Sequence, residues 1–152
     1  MSKDNRKFDI EERLIDFAVR IIRTAESLPK TKAGNHIAGQ LTRCGTSPAP
    51  NYGEAQSAES IADFIHKMKI CLKELRETKV WLLMITRAHL IKPKLKLKPI
   101  VDENNELIAI FVKRIQTAKQ NQGKNHNSIF DIRYSIFYTY LKMKVVVCFK
   151  IY

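Results

Sequence analysis

Apolar positions recur at three- and four-residue steps through most of this chain, the spacing that lines one face of an α-helix. Leu14, Phe17, Ala18, Ile21, Ile22, Ala25 and Leu28 form the first series, with Arg13, Asp16, Arg20 and Arg23 between them. Asp9 followed by Glu12 fits an N-terminal capping box and Pro29 sets the end, so the spacing predicts a helix over 9–28. Ile37, Ala38, Leu41 and Cys44 begin a second stripe, in which small Ala33, Gly34, Ala38 and Gly39 would let a neighbouring helix approach closely. Pro48 and Pro50 then remove two backbone donors and clash with the preceding turn. One helix over 31–56, kinked at Pro48/Pro50, is the expectation. Ile61, Phe64, Ile65, Met68, Cys71, Leu72, Leu75, Leu82 and Ile85 build a wide face over 59–90, and no Gly or Pro lies between Gly53 and Pro93. That helix should be about 45 Å long. Asp63/Lys67 and Lys73/Glu77 stand at i,i+4 on its polar side, and Pro93 is expected to end it. The run Lys92–Pro99 reads as an extended basic connector. Asp102 should then cap a last helix to about Gln120, with Leu107, Ile108, Phe111, Ile115 and Ala118 inward. Four amphipathic helices with short connections make an all-α four-helix bundle over residues 1–122.

Residues 123–152 differ in kind. They hold seven of the 13 aromatic residues and the β-prone run Val145-Val146-Val147-Cys148-Phe149, with no helical period. They read as an appendage, disordered or docked.

Composition narrows the class. At 152 residues the chain has the length of one domain, and 45% hydrophobic with 28% charged residues is ordinary for a folded protein. No uncharged run is long enough to span a bilayer, and the charged first dozen residues are unlike a signal peptide. A cytoplasmic protein without a membrane partner is therefore expected. Cys44, Cys71 and Cys148 lack CxxC spacing, so they read as buried thiols rather than a disulfide or zinc framework. The net charge is +12, of which residues 1–122 carry +8 and residues 123–152 carry +4. Such an excess suggests an anionic partner.

A series of short motifs resembles one family. It comprises Phe8-Asp9-Ile10-Glu11-Glu12-Arg13-Leu14, Ala38-Gly39-Gln40-Leu41, Gly45-Thr46-Ser47-Pro48 and Asn51-Tyr52-Gly53-Glu54-Ala55. It continues with Asp63-Phe64-Ile65-His66-Lys67, Leu72-Lys73-Glu74-Leu75-Arg76-Glu77-Thr78 and Trp81-Leu82. Over residues 8–122 the chain is similar to the four-helix-bundle proteins encoded in intervening sequences of bacterial 23S ribosomal RNA genes. The resemblance implies an up-and-down bundle that assembles as a ring-shaped homo-oligomer, a pentamer, with no established enzymatic activity. It also implies kinship with an accessory subunit that acts beside a reverse transcriptase in diversity-generating retroelements. Pro50 and Gly53 depart from the family pattern, in which a small helix-forming residue is expected.

The residues offer little catalytic chemistry. Asp63 and His66 have the i,i+3 spacing of a helical di-iron site, but no other helix supplies a second such pair. The sequence has no Gly-rich phosphate loop and no nucleophile motif beside a histidine, so no cofactor is expected. Asn51 and Glu54, just past the prolines, read as a reciprocal capping box on the resumed helix or as a partner contact. Lys69, Lys73 and Arg76 form one stripe on the third helix, and Arg20 and Arg23 a smaller one on the first. With Lys94 and Lys96 of the connector, these are the candidates for backbone-directed contact with RNA or DNA. The competing expectation is a protein-interaction scaffold whose charge only maintains solubility.

Overall fold

The computed structural model describes residues 9–123, and the aromatic-rich segment lies outside them. Five α-helices follow in order: α1 (Ile10–Glu26), α2 (Lys32–Thr46), α3 (Pro48–Gln56), α4 (Ile61–Arg87) and α5 (Lys98–Gly123). No strand occurs among the described residues. α2 and α3 together are the second helix of an up-and-down four-helix bundle, broken at the prolines as the sequence implies. Ser47 keeps helical backbone angles (φ −58°, ψ −33°), so the chain turns through the break without leaving the helical region. Pro48 and Pro50 cannot donate back to the α2 carbonyls, and the ladder resumes with Asn51 N–H on the Ser47 carbonyl at 3.3 Å.

The helices start as their caps dictate. The Asp9 carboxylate accepts from the Glu11 N–H at 2.9 Å, Thr31 Oγ1 from Gly34 N–H at 3.0 Å, and Ser60 Oγ from Asp63 N–H at 3.1 Å. Glu12 is exposed and makes no return bond, so only half of the box read at Asp9 forms. Three sequence expectations are corrected here. α4 stops at Arg87, before Pro93, because His89 takes φ 55° and the Leu90 N–H returns to the Ile85 carbonyl at 3.2 Å. That is a left-handed helix terminus. α5 begins at Lys98 rather than after Asp102, since Pro99 fits a first turn whose N–H groups have no helical acceptor. Asp102 stands one turn inside and pairs with Lys98 at 2.5 Å. The connector also holds a 3-10 turn, Lys94–Lys96, and buries Leu97.

The core lies along the bundle axis. Leu14, Phe17 and Ile21 of α1 meet Leu41 of α2, while Met68, Leu75, Leu82 and Ile85 of α4 meet Leu107 and Phe111 of α5. Each is under 2% exposed, and burial of a side chain of this kind is worth roughly 1.5–3 kcal/mol. α1 packs on α2 and α3, α4 packs on α2, α3 and α5, and α5 closes the square against α1. α1 and α4 thus run in the same direction at opposite corners.

The small residues of α2 do not all face a neighbouring helix, although Ala38 is half-buried against the core. Ala33 and Gly39 are exposed, and a Cβ on Gly39 would meet nothing within 4 Å. α1 comes close to α2 at Gly45, where a Cβ would lie 2.6 Å from Ile21 Cγ2.

Candidate functional site

Charged side chains divide into those that tie helices together and those that do not. Arg13 of α1 donates from Nε to Glu103 Oε1 at 2.6 Å and from Nη2 to Glu106 Oε2 at 2.5 Å, both on α5. The bonds to Glu103 and Glu106, against some desolvation, raise the Arg13 pKa further above its already high value. Arg43 of α2 reaches Glu77 and, at 3.5 Å, Glu74 of α4. Glu77 also accepts from the Trp81 indole N–H at 3.4 Å, and Trp81 stands edge-on to His36 with centroids 6.0 Å apart. Lys67 bonds Glu54 of α3 at 2.8 Å, and that bond raises the lysine pKa. In place of the i,i+4 pairs Asp63/Lys67 and Lys73/Glu77, Lys67 pairs with Glu54 of α3 and Glu77 with Arg43 of α2, and Lys73 forms no ion pair among the described residues.

Asn51 and Glu54 do not form the reciprocal box. α3 begins at Pro48, so Asn51 lies inside it and donates from Nδ2 to the Ser47 carbonyl at 2.8 Å and Ser47 Oγ at 3.0 Å. Asn51 thereby fills the break the prolines leave, and Glu54 fastens α3 to α4 through Lys67.

Buried polar groups were less legible. Arg114 donates from Nη1 to the Tyr52 hydroxyl at 2.6 Å and lies 5.6 Å from that ring's centroid, while Tyr52 packs edge-on against Phe111. Asn104, fully buried, donates to the Leu75 carbonyl at 3.1 Å, and its Oδ1 has no partner among the described residues. An asparagine on an apolar stripe was the only available signal for it. Cys44 and Cys71 are fully buried, which raises both thiol pKa values, that of Cys71 to about 12. Neither is poised as a thiolate nucleophile.

The basic candidates fall in two places. Lys69, Lys73 and Arg76 are exposed along one line of α4, and none forms an ion pair among the described residues. Arg23 is exposed and Arg20 half-buried on α1, at the opposite corner of the bundle, so the two sets do not share a face. Lys94 and Lys96 bound the 3-10 turn of the connector, where Lys96 is exposed. Asp63 is half-buried and His66 exposed. No group of three or more His, Cys, Asp or Glu side chains could hold a metal ion among the described residues. No described helix is long and apolar enough to cross a membrane.

No curated protein matches the chain. Among solved structures, a protein of unknown function from the S23 ribosomal protein family of Bacteroides thetaiotaomicron is 32% identical, with a TM-score of 0.65. The match covers 70% of this chain and 98% of that one. The family model for the 23S rRNA-intervening sequence protein matches residues 6–113, nearly the whole bundle. The chain therefore belongs to the 23S rRNA-intervening sequence protein family.

Proposed function

We propose that this is a non-enzymatic, oligomeric helical-bundle protein that contacts RNA or DNA through the phosphate backbone, without reading sequence. The observation that carries this reading is the division among the cations. Arg13, Arg43, Lys67 and Lys98 are paired with carboxylates, whereas Lys69, Lys73 and Arg76 stand exposed in a line without one among the described residues. Cations at i, i+4 and i+7 on one helix face can contact phosphates of a strand and release counterions when they bind. Repetition around a ring of copies, five as the family resemblance implies, would multiply weak contacts into useful affinity.

The rival reading is a protein-interaction scaffold, or an accessory subunit beside a polymerase such as a reverse transcriptase, with no nucleic-acid contact of its own. The exposed apolar side chains of Ile15, Val19 and Ile22 on α1 favour it. A salt titration of binding to a generic single-stranded RNA separates the two. Nucleic-acid contact predicts a linear log–log fall in affinity, with a slope reduced by roughly 0.7 for each of Lys69, Lys73 and Arg76 changed to Gln. A flat slope, or no binding at low salt, overturns it in favour of the scaffold.

A further inference from the structure

The two ends of the bundle differ in charge. In an up-and-down bundle the α1–α2 turn and the α4–α5 connector lie at the same end. The edge-on contact of His36 with Trp81 accordingly sets the first turns of α2 beside the last turns of α4. Residues 27–32 and 88–97, which make those two connections, hold five lysines and no acidic residue. Residues 57–60, the connection at the other end, hold Glu59 and no basic residue. Lys30, Lys32, Lys92 and Lys96 are exposed, as is Arg87 at the close of α4, and none of these forms an ion pair among the described residues. The acidic residues nearest in sequence are exposed Glu26 and Asp102, and Lys98 already holds the second.

Leu95 stands within this group and is 75% exposed, whereas no other large apolar side chain among the described residues exceeds 49%. It is the middle residue of the 3-10 turn Lys94–Lys96, and the chain on either side is fixed. The Lys96 N–H returns to the Pro93 carbonyl at 3.0 Å, and buried Leu97 and Ile100 tie the following residues to the core. Buried Leu28 does the same for the α1–α2 turn. The fold therefore holds an apolar tip outward between cations, on two anchored connections.

We propose that this end of the bundle is a site for the anionic surface of a lipid bilayer, with the lysines at the headgroups and Leu95 in the acyl boundary. A basic patch and an exposed apolar side chain are two signals that add on such a surface. A nucleic-acid strand would use the cations and leave Leu95 in water, so the apolar tip favours the bilayer. The expectation of no membrane partner rested on the lack of a spanning segment, and a contact lying on the surface needs none. This site is separate from Lys69, Lys73 and Arg76 along the side of α4, and it stands whether or not that line binds nucleic acid.

Cosedimentation of the full chain with vesicles tests the site, with circular dichroism to verify helix content. Phosphatidylcholine vesicles with about 30% phosphatidylserine should bind the chain at low salt and release it at high salt, and phosphatidylcholine alone should not bind it. Lys92→Gln with Lys96→Gln should lower the partition roughly 25-fold, about fivefold per cation, and Lys30→Gln with Lys32→Gln should do the same. Leu95→Ser should lower it about fivefold or more. Lys69→Gln with Lys73→Gln should leave it unchanged. All these positions are exposed, so the bundle should stay folded. No binding to the anionic vesicles at low salt overturns the proposal, as does binding that the connector pair does not weaken. Equal loss from the α4 pair and the connector pair would report total charge and overturn the site. Leu95→Ser binding like wild type overturns the apolar contact and with it the choice of a bilayer. Vesicles left unbound while Lys92→Gln with Lys96→Gln weakens binding to RNA overturn the bilayer in favour of nucleic acid.

Discussion

Gly39 and Gly45 stand on the same helix and should respond to alanine in opposite ways. Around Gly39 there is open space, so Gly39→Ala removes only the conformational cost of glycine and should stabilise by ~0.5–1 kcal/mol. At Gly45 the added methyl would enter fully buried Ile21, and Gly45→Ala should destabilise by ~1–3 kcal/mol despite its better helix propensity. Urea midpoints for the two variants at fixed protein concentration check the pair, and the same sign for both would contradict the packing. Cys71 makes a second prediction at this scale. Burial pushes its thiol up to about 12, above the value it has in the unfolded chain. The unfolded state therefore loses this proton first, and stability present below pH ~9 is lost as pH rises toward about 12. Cys71→Ala should flatten the alkaline limb of the melting temperature against pH, relative to wild type; parallel limbs would deny the thiol that role.

At the scale of elements, the ends of the helices carry more information than their middles. Periodicity located every helix, yet the expected boundaries of α4 and α5 were off by several residues, for physical reasons. Pro93 was read as the terminator of α4, but the left-handed backbone of His89 ends the helix earlier through a local hydrogen bond. A histidine at positive φ bears a steric cost that glycine does not. His89→Gly should stabilise by ~0.5–1 kcal/mol, raising the melting temperature by roughly 2–5 °C. A drop on thermal unfolding would mean that the imidazole contributes more than its backbone costs. Asp102 looked like a cap because Asp favours caps, whereas Pro99 starts the helix a turn earlier and leaves Asp102 to pair with Lys98. The break at Pro48 and Pro50 was readable because proline removes its donors in any context.

At the scale of the molecule, the +12 charge separates into parts with different uses. The segment 123–152 carries +4 and lies outside the described residues. Arg13 and Arg43 join non-adjacent segments of the chain, α1 to α5 and α2 to α4, so their charge serves the bundle. Among the exposed cations outside an ion pair in the described residues are a line on α4, Arg23 on α1 and Lys96 in the connector. The α1 and α4 sets sit at opposite corners, so one monomer cannot present those two together. A salt slope measured on RNA should therefore report chiefly on Lys69, Lys73 and Arg76, and changing Arg20 and Arg23 to Gln should alter it less.

By itself the sequence determined the helix count, the kink, the apolar faces and the family resemblance, because each rests on residues close together in the chain. Leu14, Phe17 and Ile21 announce a buried face at any address. Only the tertiary structure decided which charges pair, since Arg13 finds Glu103 ninety residues away. It decided that Gly45 rather than Gly39 meets a neighbouring helix, and that Asn104 is buried with its amide on the Leu75 carbonyl. It also separated the paired cations from those without an ion pair among the described residues. Burial and pairing depend on what the rest of the chain brings alongside a residue, and local periodicity does not contain that.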